Sequence, residues 1–261
     1  YPNILSHKTY GEEAKKLFAD AEKFLDRIIK EKIFKPKAAM GMFKCRRVGE
    51  DVEIFDDNGN TIETLSFLRQ QKAKTKENPV YHSLADFISP KEDYIGTFVV
   101  TIGNEVEKFA STFEKINDDY TAILIKAIGD RLAEAYAELI HKKARDVFGY
   151  GDKDSDLSIE DLIKEKYEGI RPAPGYPACP DHTEKLKLWD LMKIEENLGA
   201  TLTENMAMNP PSSVSGYLIS HPKSKYFNIL SIGKDQLESY AKRKKMSFNE
   251  MKKWLQTIYQ G

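Results

Sequence analysis

The chain has 261 residues, 40 Lys and Arg against 41 Asp and Glu, and a hydrophobic fraction of 41%. That length allows one large domain or two small ones, with enough apolar side chains for a sizeable core. Near-cancelling charge gives no reason to expect nucleic acid or an anionic membrane as a partner, and no apolar run approaches the roughly 18 residues of a spanning helix. Cys45 and Cys179 lie far apart in sequence and form neither a disulfide framework nor a CxxC site. A reducing cytosol is the simplest compartment. The chain opens at Tyr1 on ordinary structured sequence rather than a signal peptide, as expected of a piece of a longer polypeptide.

In chain order, the first element is a helix over 12–31. Leu17, Phe18, Ala21, Phe24, Leu25, Ile28 and Ile29 recur at helical spacing and predict one buried face. Pro36 stops it. Short strands follow over 38–43, 48–55 and 61–65, the last two flanking Asp57-Asn58-Gly59-Asn60, where Asn-Gly signals a hairpin. β-branched and aromatic residues over 94–101 predict a central strand. Helices over 105–116 and 120–148 come next, the second rich in alanine. A Gly/Asp loop over 149–156 leads to a helix capped by Ser158 and running to about 168. The stretch 171–182 carries four of the eleven prolines and is a rigid extended loop. A helix over 183–194, a Pro/Ser loop over 209–216, strands over 217–220 and 226–232, and two closing helices complete the chain. The last helix starts at Ser247, with Glu250 placed for a capping box. Helices mixed with hairpins, without βαβ alternation, predict an α+β fold in a single domain on a mainly antiparallel sheet flanked by helices.

Two stretches stand out chemically. In Arg171-Pro172-Ala173-Pro174-Gly175-Tyr176-Pro177 the alternating prolines leave main-chain groups unused by any ladder and free for a ligand. Gly175 permits close approach, Arg171 offers a planar fork for a carboxylate, and Tyr176 offers a ring face and a hydroxyl. A crossover loop with an exposed arginine explains the same residues about as well. The second stretch, Ser220-His221-Pro222-Lys223-Ser224-Lys225-Tyr226-Phe227, leads from a basic turn into an aromatic pair. One ring of that pair is expected in the core and the other lining a groove, where it would suit an adenine or a sulfonium; plain strand packing is the simpler reading. Glu134 and Glu165 are carboxylates that could sit near Arg171, although most glutamates are solvated helix charges. Cys179 and His182 have CxxH spacing with no second pair, weak support for a metal. Neither a GxGxxG turn, a P-loop nor a GxSxG elbow occurs.

The run RPAPGYPACPDHTEK at 171–185 resembles the C-terminal activation domain of cobalamin-dependent methionine synthases. So do RRVGEDVEIF at 46–55, LRQQ at 68–71, LADF at 84–87, DYIG at 93–96, DRLAEA at 130–135, SVSG at 213–216 and the SHPxSKYF pattern at 220–227, in order over essentially the whole chain. The resemblance implies a helmet-like α+β domain on a bent sheet. It implies binding of S-adenosylmethionine, whose methyl group traps cob(I)alamin after reduction of the oxidised cofactor. Cobalamin would be held on a neighbouring domain, zinc only elsewhere in the parent enzyme, and flavodoxin or a similar protein would donate the electron. By matching positions, Arg171 is expected to bind the methionine carboxylate, Ala173 to give main-chain contacts, and Tyr176 to lie beside the reacting end. Tyr226 and Phe227 would touch the ligand, with Phe227 standing where the family can carry a second tyrosine. Glu134 and Glu165 match acidic positions near the site. The family's IDWTPF-like segment, whose aspartate grips the ligand's amino group, is absent from this sequence, so weakened binding is expected. Two other readings remain open: a docking module that caps the cobalamin domain and recruits the electron donor without binding ligand, and a free-standing small-molecule methyltransferase.

Overall fold

The computed structural model describes residues 3–72, 80–151 and 156–261. Its first helix, α1, spans Gly11–Lys30. Ala21, Phe24, Leu25 and Ile28 pack towards the core, but Leu17, Phe18 and Ile29 are 48%, 39% and 65% exposed. The expected apolar face is therefore only partly covered. The stripe used (21, 24, 25, 28) is one helical ridge wide, and Leu17 and Phe18 line an open apolar groove of about 790 Å³ shared with Tyr120 and Ile123.

Strand β1, Lys37–Val48, runs unbroken through the region expected to hold a break between two strands. Cys45 is fully buried between exposed Lys44 and Arg46, so the period of two continues through the charged residues. The chain turns at Gly49, which has φ +66°, and Val48 pairs with Asp51 of β2, Asp51–Phe55. Strand β3, Thr61–Ser66, follows a turn in which the Asp56 carboxylate accepts the N–H groups of Asn58 and Asn60. Strand β4, Asp93–Thr101, is buried from Ile95 onward. With β7 at Ser213–Leu218, the five-stranded sheet has the order β3-β2-β1-β4-β7, every pair antiparallel. Strand β7 begins inside the stretch expected to be a loop. This is the antiparallel α+β architecture expected from the sequence.

Helix α2 spans Glu105–Glu114 and the long α3 spans Asp119–Val147. Ala137, Ile140 and Ala144 of α3 cover one sheet face through Phe98, Val100 and Leu218. After the short α4, Ile159–Ile163, the other face is covered by α5, Glu184–Met192, and α6, Ile194–Leu198, packed on Val52, Ile54, Leu65, Val99 and Tyr217. The expected helix over 183–194 is α5, which ends where Lys193 adopts φ +47°, and α6 follows as a further short helix. A two-stranded ribbon of β5, Thr201–Leu202, and β6, Met208–Asn209, leads into β7. Helices α7, Lys234–Arg243, and α8, Phe248–Trp254, form a separate cluster with Leu237, Tyr240, Met251 and Leu255. Ser247 caps α8 by accepting from Glu250 N–H. Of the Gly/Asp loop, residues 152–155 lie outside the described residues.

The expected strand over 226–232 is irregular instead. Ile229 N–H donates to Pro177 O at 2.8 Å, and Ile232 pairs with the C-terminal segment at Tyr259. Its neighbour is the proline-rich strip, which lacks the donors a ladder requires.

Candidate functional site

The site forms where the sheet edge meets the proline-rich strip. Ile170 bridges Ile219 just past β7, and Tyr217 N–H donates to Pro172 O at 2.8 Å. Pro172 has no N–H to return, so the pairing stops and the strip leaves the edge. It folds back on itself: Tyr176 N–H donates to Ala173 O, Gly175 N–H to Cys179 O and Cys179 N–H to Tyr176 O. Most main-chain groups expected to be free are thus used locally, whereas the Ala173 N–H has no partner among the described residues.

Beyond the strip, Asp181, Thr183 and Glu184 are buried around the ammonium of Lys244, the residue that caps the C-terminus of helix Lys234–Arg243, with Lys244 Nζ 2.8 Å from Asp181 Oδ2. Burial pushes the Asp181 carboxyl up. The Lys244 charge, with hydrogen bonds from Lys244 and Thr183, outweighs it and holds Asp181 below the usual carboxylate range. This pin fixes the strip to the C-terminal helices.

Between strip and edge lies a cavity of about 340 Å³. Arg171, Ala173 and Tyr176 form one wall, Glu134 of α3 another, and Tyr226 and Phe227 a third, with Phe98, Val214 and Ser215 at the sheet. Tyr176 and Tyr226 are 61% and 45% exposed, whereas Phe227 packs against two core clusters. One ring of the aromatic pair is inward and the other available, as the sequence suggested. Tyr226 turns its hydroxyl inward, accepting Arg171 N–H at 3.0 Å.

Two expected residues are placed otherwise. Gly175 does not line the cavity. It has φ +96°, and a Cβ there would meet the His182 ring at 2.2 Å, so glycine serves the turn and the histidine's seat. Glu165 is exposed at φ +51°, because α4 ends at Ile163 rather than near 168. Its carboxylate stands 3.9 Å from Arg171 Nη2 and outside the cavity wall.

Sequence reasoning missed the closest partners of Arg171. Glu138, one turn past Glu134 on α3, pairs with Arg171 Nη1 at 2.6 Å. Arg171 Nη1 also donates to the Tyr167 hydroxyl at 2.6 Å, and Tyr167 donates to Glu138 at 3.2 Å. His141 Nδ1 lies 3.3 Å from Nη1. Burial, then the charges of Arg145 and Arg171, pushes His141 down to about 2, so its ring is neutral and Nδ1 can accept. Arg145 stacks over the Tyr167 ring at 3.8 Å. Burial opposes the Arg171 charge, but Tyr167, Glu138 and Tyr226 outweigh it and hold the guanidinium above its ordinary pKa. The spacing Glu134, Glu138, His141 on one alanine-rich helix was the available signal, since these positions share a face.

The whole arrangement is a shallow aromatic cavity with one fixed cation, one exposed carboxylate and a free amide. Comparison with known proteins then decides the family. Residues 1–245 match the family described as vitamin B12 dependent methionine synthase, activation domain. The chain belongs to that family. A crystal structure of the MetH reactivation domain bound to AdoHcy is 46% identical, with a TM-score of 0.94. The match covers 100% of this chain and 82% of that one. Among the described residues, the cavity lining includes Ser215 and Glu134 but no histidine or cysteine. Both cysteines are buried thiols, Cys45 pushed up to about 12 by burial and then by Asp93. Among the described residues, no helix is long and apolar enough to cross a membrane.

Proposed function

We propose that the cavity beside Arg171 binds S-adenosylmethionine and presents its methyl group to cob(I)alamin on a neighbouring cobalamin-binding domain of the same longer, cytosolic enzyme. The observation that supports this most is the convergence of Arg171, Ala173, Tyr176, Tyr226, Phe227 and Glu134 on one cavity, in a family whose solved member carries AdoHcy.

The residues present fit the ligand's parts. The exposed Tyr176 and Tyr226 rings offer π faces to an adenine or a sulfonium. Arg171 suits the carboxylate, Glu134 is free to meet the ammonium, and Ala173 N–H is an unspent donor. Glu165 stands 3.9 Å from Arg171 Nη2, at its outer side and outside the wall. When bound, S-adenosylmethionine supplies an activated methyl group. Cob(I)alamin carries no proton to remove, so the chain's task is orientation and exclusion of water, not general-base catalysis. Reduction of the oxidised cofactor falls to flavodoxin or a similar donor docking on the assembled enzyme.

The test is calorimetric titration of S-adenosylmethionine into the chain and into Arg171→Ala. Saturable binding is expected. Losing hydrogen bonds to a charged group costs about 1.5–3 kcal/mol, so the variant should bind roughly ten- to a hundredfold more weakly. Equal affinity in the two proteins refutes the assignment.

A further inference from the structure

Arg171 does not stand free in the cavity wall; one end of its guanidinium is already occupied. Nη1 carries two hydrogens and meets three groups: the Glu138 carboxylate at 2.6 Å, the Tyr167 hydroxyl at 2.6 Å and His141 Nδ1 at 3.3 Å. Nε makes no hydrogen bond among the described residues, and Nη2 has only the exposed Glu165 carboxylate, 3.9 Å away. The guanidinium is therefore held asymmetrically. Its Nη1 end is locked to α3 and Tyr167, while the Nε–Nη2 edge, the one suited to two parallel bonds to a carboxylate, is left over. Tyr167 ties the group together, because its hydroxyl bonds both Glu138 and Arg171 while Arg145 stacks on its ring.

We infer that Glu138 is a positioning residue: through Nη1, with Tyr167 and His141, it fixes Arg171 so that the Nε–Nη2 edge receives the carboxylate of the bound ligand. The inference rests on the reading that Arg171 takes a ligand carboxylate, and it assigns to Glu138 a part in affinity that does not require contact with the ligand. Arginine loses rotamer freedom whenever it binds; a guanidinium fixed beforehand has already lost it.

The experiment compares S-adenosylhomocysteine with 5′-methylthioadenosine, which keeps the adenosine and thioether but has no amino-acid carboxylate. Both are titrated into the wild-type chain, Glu138→Gln, Arg171→Ala and the double variant. Glu138→Gln is expected to weaken S-adenosylhomocysteine about tenfold and to change 5′-methylthioadenosine by less than about twofold. In the Arg171→Ala background it should add nothing, because the two residues act as one unit. A purely structural role would weaken both ligands alike, and unchanged or tighter binding of S-adenosylhomocysteine would mean that Glu138 only neutralises Arg171; either result overturns the inference. Tyr167→Phe, which removes the shared hydroxyl and keeps the ring, must show the same ligand selectivity and serves if Glu138→Gln does not fold. If the wild-type chain binds neither ligand, the reading of the cavity falls and this inference with it. If Arg171→Ala loses affinity and Glu138→Gln does not, only the inference falls.

Discussion

The pin beneath the proline-rich strip gives a sharp test of what holds the site in place. Lys244 Nζ lies 2.8 Å from Asp181 and 2.7 Å from Thr183 Oγ1 and contacts Glu184, with side-chain exposures of 4% for Lys244, 1% for Asp181 and none for Glu184. Lys244→Met keeps the length and volume of the stem but leaves two buried carboxylates, of which Glu184 retains Lys187 at 2.7 Å. Breaking a buried pair by removing one partner typically costs about 3–5 kcal/mol. At about 2 °C per kcal/mol for a chain of this size, the melting temperature should fall by about 6–10 °C. The pH dependence carries a sign. Asp181 is held below the carboxylate range in the native protein, so its pairing stabilises the fold above pH about 4 and is lost as pH falls through the native value. In the variant, burial acts without the lysine and raises the carboxyl, so the folded state gains protons first and is relatively favoured as pH falls. The gap between the two proteins should therefore narrow towards pH 4. Thermal unfolding of both from pH 4 to 8 measures this; a loss below about 1 kcal/mol, or a gap that widens at low pH, refutes the reasoning.

Three further outcomes are expected. Gly175→Ala should lower stability by about 1–3 kcal/mol, from φ +96° and the clash with His182, and should weaken ligand binding more than Glu165→Gln does; thermal melts and calorimetry check both. His141 is neutral in the fold with its pKa near 2, but takes a proton near pH 6.5 once unfolded. Stability should thus rise with pH by about 1.4 kcal/mol per unit below pH 6 on its account, and His141→Asn should lose that slope in denaturant titrations. Tyr226→Phe removes the acceptor of Arg171 N–H and should cost about 1 kcal/mol in stability by chemical denaturation, with the cavity's aromatic wall retained.

Local patterns in the sequence carried much of the fold. The alanine-rich period gave α3 within a residue at each end, and the Asp-Asn-Gly-Asn turn with its flanking β-branched residues gave the β2–β3 hairpin. Where neighbours decide, the sequence was silent or misleading. Charged Lys44 and Arg46 resemble a loop, yet they are the outer half of an alternation around buried Cys45. Residues 226–232 have strand composition, but the strip beside them offers too few donors to pair with. Apolar Leu17 and Ile29 fit a buried helical face that nothing in the described structure covers. At the site, six residues read from sequence and family resemblance meet in one cavity. Glu138 shares the α3 face of Glu134 and His141, and that shared face was its only signal; the reach from α3 across to Arg171 comes from the tertiary fold. Gly175 adopts φ +96° beside His182 and outside the cavity lining, a placement that the local sequence did not indicate.

The most direct measurement is a calorimetric titration of S-adenosylhomocysteine into the wild-type chain beside Arg171→Ala, with melting curves showing both folded. One saturable site in the wild type, weakened roughly ten- to a hundredfold by the substitution, is the result expected if the cavity between β7 and the proline-rich strip holds the ligand through Arg171. Equal affinity in the two proteins, or no saturation in the wild type at millimolar ligand, would contradict it.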